Sequence, residues 1–354
     1  MPRKIVIIFI LFLLSVTLSA CSISFKGTAG GGNDNGVYRS ETRGDKWLQK
    51  VLIPTVTGKP RSIGGINVAS LVLDPSDDKA LYLGSEDNGL FFTYDRGENW
   101  QAVGGLGKNT IAAVAVDPAS KCVIYAASAN KVYKSTDCSR TWTQAYYDND
   151  VNVVINAIAI DSFNSANVCI GTSRGEVIKS SDRGASWQTV GRFDDSVEKI
   201  VISPHDSKII FAATKRKRIF RSIDGAINWI DLSENLKEFK DSMRFRDLVA
   251  SPSDKGLIIL ATHYGLLKST SSGEIWSKIE LITPEKEATI NALAIGPQTA
   301  NEIYYITNTT FYRSLDGGRN WTTKKLPTTK AGSKLLIDPE DASVIYMGVR
   351  AIKN

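Results

Sequence analysis

Histidine is nearly absent from this 354-residue chain, which has two, His205 and His263, beside three methionines and four cysteines. There is no His-x-His or His-Glu-x-x-His pattern and no paired-cysteine ligand spacing, so each histidine reads as an ordinary surface residue and no metal or cofactor is expected. A phosphate-cradling glycine loop and a Gly-x-Ser-x-Gly elbow are missing too, so no residue is assigned a catalytic role on a motif. Helical periodicity is missing throughout. A strong charge of one sign is lacking as well: 43 basic against 37 acidic residues give a net charge of +6, too small an excess for a phosphate-binding protein, and nucleic acid is not an expected partner. The one long apolar run, Ile5 to Leu14, has about ten residues, half of the ~20 that a membrane span needs.

That run has other features of an export signal. Arg3 and Lys4 precede it, and Leu18, Ser19 and Ala20 lead into Cys21. A basic start, a short apolar core and small residues at the end describe a secretory signal peptide over residues 1–20. The small residues before Cys21 resemble the lipobox of bacterial lipoproteins, which implies a diacylated Cys21 as the mature N-terminus. Two acyl chains anchor stably where one does not. The expectation is an extracytoplasmic protein held on a bacterial membrane, at the cell surface or in the periplasm. Residues 21–35 are polar and glycine-rich and read as a flexible tether.

What the sequence has in abundance is repetition. All seven tryptophans lie in one recurring motif, Ser/Thr-x-Asp-x-Gly-x-x-Trp. The full copies carry Asp95, Gly97 and Trp100; Asp182, Gly184 and Trp187; and Asp316, Gly318 and Trp321. Drifted copies keep Asp137 and Trp142 with Ser139 for glycine, Asp224 and Trp229 with Ala226 there, and Trp47 and Trp276 with Thr42 and Ser271 for aspartate. Successive tryptophans are 53, 42, 45, 42, 47 and 45 residues apart, the period of a four-stranded propeller blade. Out of phase with the boxes run seven apolar strands that end in Asp-Pro or a relative of it, from Leu71–Pro75 to Leu335–Pro339. Each unit reads as strands A to D of a β-meander, with the box as the C–D turn. The aspartate is expected to accept backbone N–H bonds there, glycine to supply the positive φ, and tryptophan to cover the blade core.

The ends complement one another. The first box, Ser40 to Trp47, has no A and B strands before it, and the last Asp-Pro unit has no box after it. Residues 36–354 are therefore expected to form one all-β, seven-bladed propeller whose closing blade takes strands from both termini, leaving no open sheet edge. The boxes and the Asp-Pro to Lys-Ser spacing resemble the bacterial-neuraminidase-repeat (Asp-box) propellers over this whole stretch. That family includes sialidases, xyloglucan-hydrolysing endoglucanases, the sortilin ectodomain and lipoproteins that assist photosystem II assembly. The resemblance implies a fold more than an activity.

Two functional readings follow. A glycosidase needs two carboxylates about 5–10 Å apart across a cleft. Glu86 with Asp87, Asp148 with Asp150, and Asp194 with Asp195 are candidates, but all sit in hairpins or loops where solvated acids are usual. The sialidase Arg-Ile-Pro segment is absent. The favoured reading is a membrane-tethered scaffold or assembly factor that binds an acidic protein partner; a carbohydrate-active enzyme or glycan-binding module acting on polysaccharide is the alternative. The candidate binding face, for an acidic partner or lipid headgroups, is the basic B–C hairpin carrying Arg216 and Arg218, with Arg244, Phe245 and Arg246 beside it, because guanidinium groups suit bidentate carboxylate or phosphate contacts. The same register sets Cys122 opposite Cys138, each eight residues from Asn130, and predicts a disulfide between them that leaves Cys169 a buried free thiol.

Overall fold

The computed structural model describes residues 33–216 and 218–352. The expected signal peptide, Cys21 and tether residues up to 32 lie outside the described residues, as does Lys217. Seven antiparallel four-stranded sheets form the blades of a β-propeller, with one short 3-10 turn at Glu234–Leu236. Blade 1 is representative, with strand A at Val68–Asp74, B at Asp77–Ser85, C at Leu90–Thr93 and D at Gln101–Ala102. Blades 2 to 6 follow in chain order, with strand A at Ala113–Asp117, Ile155–Ile160, Val197–Ser203, Phe245–Ala250 and Ala292–Ile295. The closing blade takes A and B from Ala331–Ile337 and Ile345–Arg350, and C and D from Gly36–Ser40 and Leu48–Lys50. Gly36 to Ser40 pair with Val349 to Ile345, so the ring is shut by hydrogen bonds between the chain's two ends.

The apolar core is seven layers, each shared by two consecutive blades. The layer between the closing blade and blade 1 joins Val37, Val344 and Tyr346 to Leu71, Leu83 and Trp100. A blade cannot bury its faces alone, so stability resides in the neighbour contacts, as in any repeat array.

The box turns show how the repeat is held. Ser180 Oγ accepts from the Gly184 N–H at 2.7 Å, and Asp182 Oδ1 accepts from the Ser186 N–H at 2.8 Å. Two consecutive residues, not one, take a positive φ: Arg183 at 60° and Gly184 at 86°. The residue before the glycine position does so in every box, a requirement that the sequence reading missed because that position tolerates Arg, Cys, Ser and Gly. The tryptophans were expected to cover their own blade. Instead the Nε1–H of Trp100, Trp187, Trp229 and Trp321 donates to a carbonyl at the outer strand of the preceding blade: Lys50, Ala145, Val190 and Glu280 respectively. The turn swings the indole across the seam, where the partner carbonyl lies.

A second tie runs the other way. A cation just before the box Ser reaches forward to the carbonyl of the first positive-φ residue in the next blade's box. The five pairs are Arg39 to Arg96, Lys134 to Arg183, Lys179 to Gly225, Arg221 to Ser272 and Arg313 to Arg43, at 2.8–2.9 Å. Blade 1 has Phe92 at this position and sends no such tie to blade 2.

Hydrogen bonds inside the boxes hold the carboxyls of Asp137, Asp182, Asp224 and Asp316 down to about 2. The donors are the backbone and side chain of the residue four further on, led by the Thr141 and Ser186 hydroxyls and the Asn228 and Asn320 N–H groups. A carboxyl whose pKa is lowered in the folded state contributes stability above its unfolded value of about 3.9 and loses it as pH falls through the folded value. Melting temperature is therefore expected to be flat above about pH 5 and to fall steeply between about pH 4 and 2. Replacing all four aspartates with Asn should flatten that limb; an unchanged acid limb would refute the assignment.

Cys122 and Cys138 are joined by a disulfide, with Cα atoms 3.9 Å apart, and Cys169 is a buried thiol that burial pushes up to about 12. The register differs from the expected one. Ser128 pairs with Lys131, so the turn is Ala129-Asn130 and the position opposite Cys122 falls at 137. Cys138 reaches Cys122 because its positive φ of 57° bends the chain back, and its N–H donates to the Cys122 carbonyl at 3.2 Å.

Candidate functional site

Strand A of every blade lines a central channel of about 1310 Å³. Each A strand runs from the face of the D–A connections to the A–B turn, so the channel has two chemically different mouths. Pro75, Pro204, Pro252, Pro297 and Pro339 ring the A–B mouth. The other mouth is basic, with Lys215, Arg216, Arg244, Arg246 and Arg350 around it.

Strand A is bulged in five blades, at Ala69, Asn156, Glu198, Arg246 and Ser333, each an extra residue against strand B just inside the basic mouth. A bulge re-aims side chains at a strand end. The register below the bulges places Ser70, Ala113, Ala157, Lys199, Asp247, Ala292 and Lys334 at equivalent positions around the channel. Lys199 Nζ meets Asp247 Oδ1 at 2.5 Å across the seam between blades 4 and 5, and Asp247 Oδ2 accepts from the Leu293 N–H of blade 6 at 2.9 Å. Asp247 is thereby fully engaged. Arg216, Arg244, Arg246, Lys334 and Arg350 have no ion-pair partner within 4.0 Å among the described residues.

The structure divides the residues singled out for the binding face. Arg216, Arg244 and Arg246 converge on the channel mouth. Arg218 does not, being paired with Asp231 at 3.1 Å because the hairpin turns its side chain toward strand D. Phe245 touches the channel but is partly buried against the core between blades 4 and 5. Burial lowers the Arg246 guanidinium below its usual range, and the neighbouring Arg244 adds to this. The sequence reading missed Lys199, Lys334 and Arg350. Their signal was faint: Lys199 and Lys334 each stand directly before the apolar run of strand A, but only the register shows that both face the channel.

The acidic pairs have other occupations. Asp148, read as solvated, is 6% exposed, and its Oδ2 pairs with Arg174 Nη2 at 2.7 Å. Arg174 also bridges to Glu176, which holds Arg192 in turn. Burial pushes the Asp148 carboxyl up, but the Asp150 N–H and Arg174 outweigh it and leave it below the ordinary range. Glu86 Oε2 accepts from Asn67 Nδ2 at 3.2 Å, Asp150 Oδ1 accepts from the Asn152 N–H, and Asp195 Oδ2 accepts from the Arg216 N–H at 2.6 Å. His205 is not a plain surface residue: its Nε2 lies 3.1 Å from the Ser251 carbonyl of the next blade. No cluster of three or more metal-ligating side chains occurs among the described residues.

No protein-family model matches the sequence, and no curated protein does. Solved structures do match. A GH74 xyloglucanase from Xanthomonas campestris is 18% identical with a TM-score of 0.66, covering 80% of this chain and 51% of that one. A structure of YCF48 bound to D1 peptide is 16% identical with a TM-score of 0.62, covering 84% and 95%. YCF48 from Cyanidioschyzon merolae is 14% identical with a TM-score of 0.61, covering 84% and 97%. The chain thus spans about half the xyloglucanase and nearly all of YCF48. At these identities the likeness establishes the propeller fold, which serves both an enzyme and a peptide-binding protein.

Proposed function

We propose that the protein is a docking scaffold that binds an acidic segment of a partner protein across the basic channel mouth, held at a membrane by lipid on Cys21. The observation that carries this is the convergence of Arg216, Arg244, Arg246 and Arg350 around one mouth with no acidic partner among the described residues. Unpaired guanidinium groups at the rim of a concavity suit bidentate capture of carboxylates. The likeness to a peptide-bound propeller over nearly its whole length agrees with this reading, whereas the xyloglucanase is matched over half of its chain. The three acidic pairs weighed for glycosidase work include members already engaged in local bonds and the Asp148–Arg174 pair, which disfavours the carbohydrate-active alternative.

Chain topology adds an orientation. Asn35 and Gly36 bond to Gly64 and Ile66 in a D–A connection, and Asp34 accepts from Thr328 and Thr329 in another. Residues 34–36 therefore join the propeller on the face of the basic mouth. The test is capture of partners from detergent-solubilised membranes with wild type and with Arg216, Arg244 and Arg246 all changed to Ala, alongside palmitate labelling of wild type and Cys21→Ala. The triple variant should melt as wild type does and lose its partner, and labelling should vanish with Cys21. Unaltered capture of the same partner would end the docking reading.

A further inference from the structure

We propose that Lys334, inside the channel, is the anchor for a carboxylate of the docked acidic peptide, with Arg246 and Arg350 closing over it at the mouth. The inference rests on the docking reading and extends it to one deeper group. The tier at this depth contains two lysines and one carboxylate, and Asp247 is already saturated by Lys199 and by the Leu248 and Leu293 N–H groups. Lys334 is the cation left over. Its immediate neighbour Ser333 directs its hydroxyl proton at the Val68 and Gly348 carbonyls, 3.1 Å away each, and supplies no negative charge. From blade 1 to blade 3 the tier is small and uncharged, at Ser70, Ala113 and Ala157, and Lys199 of blade 4 is held by Asp247, which leaves room beside Lys334 for a slender ligand.

Burial holds the Lys334 amine below the usual lysine range; Asp247 and Glu198 oppose this, and Lys199 and Arg350 add to it. A partly desolvated ammonium surrounded by excess positive charge gains from an incoming anion, because the attraction is stronger away from bulk water. Glu198, the other acid facing the site, accepts from the Ser196 hydroxyl at 2.9 Å and makes no ion pair with Lys334 within 4.0 Å, and Asn156 Nδ2 donates to Ser196 Oγ.

The probe is a fluorescein-labelled peptide of Asp and Ala residues, prepared with a free C-terminal carboxylate and as the C-terminal amide. Lys334→Met keeps the length and apolar stem of the side chain, so folding is checked by its melting temperature. Loss of one charge-assisted contact is expected to weaken peptide binding about tenfold in Lys334→Met, with Lys334→Arg retaining most of it. If the amide also binds wild type about tenfold more weakly, the anchored group is the peptide's terminus; if the amide binds as well as the acid, it is an Asp side chain. Equal affinity of wild type and Lys334→Met overturns the inference and leaves the docking reading standing. Failure of wild type to bind either peptide overturns the docking reading itself.

Discussion

Trp100→Ala is expected to cost about 3–5 kcal/mol of folding stability, the range for deleting a large, fully enclosed aromatic side chain. Trp100 is completely buried and belongs to the core layer that joins the closing blade to blade 1. Its Nε1–H donates to the Lys50 carbonyl at 2.9 Å, and the Trp100 N–H donates to the Leu52 carbonyl at 2.7 Å, so this residue bolts the N-terminal half of the closing blade to the ring. Truncation removes apolar area, leaves a cavity and orphans a carbonyl at the seam on which closure depends. Trp187 occupies the same motif position but is only partly buried, so it is not the large core truncation that the motif alone suggests. Its replacement should cost roughly half as much, since the loss scales with the area and volume removed from contact. Trp100→Phe should cost less than Trp100→Ala, keeping most of the packing and losing a hydrogen bond of about 1 kcal/mol. Denaturant unfolding of the three variants decides this. Equal losses at Trp100 and Trp187, or a loss under about 1 kcal/mol at Trp100, would contradict the account.

The second large effect concerns the disulfide of blade 2. Cys122→Ser with Cys138→Ser should lower stability by roughly 3 kcal/mol, the chain-entropy value for a closed loop of about this size. The bond sits where other ties are missing. This box alone has glycine at neither positive-φ position: Cys138 and Ser139 take φ of 57° and 67°. A residue with a Cβ pays about 1–2 kcal/mol in that conformation. No cation reaches the box from blade 1, where Phe92 replaces it, and the buried Trp142 Nε1 has no acceptor among the described residues. The disulfide therefore holds a turn that lacks the glycine, the indole bond and the cationic tie present together in the boxes of Trp100 and Trp187. Adding Ser139→Gly to the serine double variant should restore about 1 kcal/mol, whereas Gly184→Ser in blade 3 should be destabilising by a similar amount. Thermal unfolding of the exported protein with and without reductant gives the first value, and the variants give the second. A disulfide-free protein that melts unchanged, or a Ser139→Gly change that rescues nothing, would show that the bond is incidental to the turn.

The basic mouth shows where sequence reasoning reached its limit. Arg216, Arg244 and Arg246 were legible because they cluster in two segments that the blade count makes neighbours. Arg218 was misplaced, since nothing local distinguishes it from Arg216, and only its approach to Asp231 withdraws it. Lys334 and Arg350 could not be joined to that cluster from the sequence, because they are more than 80 residues from it and meet it only through ring closure.

The sequence by itself determined the number of blades, the strand order, the box turns and the sharing of one blade by both termini. The first three follow from signals that recur about every 45 residues, a motif of turn-forming residues and apolar strands of fixed spacing, and the last from counting the units at the two ends. Only the tertiary structure decided what crosses the seams. The apolar layers are each built from two blades, four indoles bond backward, and five of the cations before the box Ser bond forward. The bulge at Arg246 arises in the pairing of strands A and B within one blade, and the exhaustion of Asp247 that leaves Lys334 unmatched depends on groups from three blades at once. Local preference fixes how each turn bends; which atoms then face each other across a seam is set by the geometry of the closed ring.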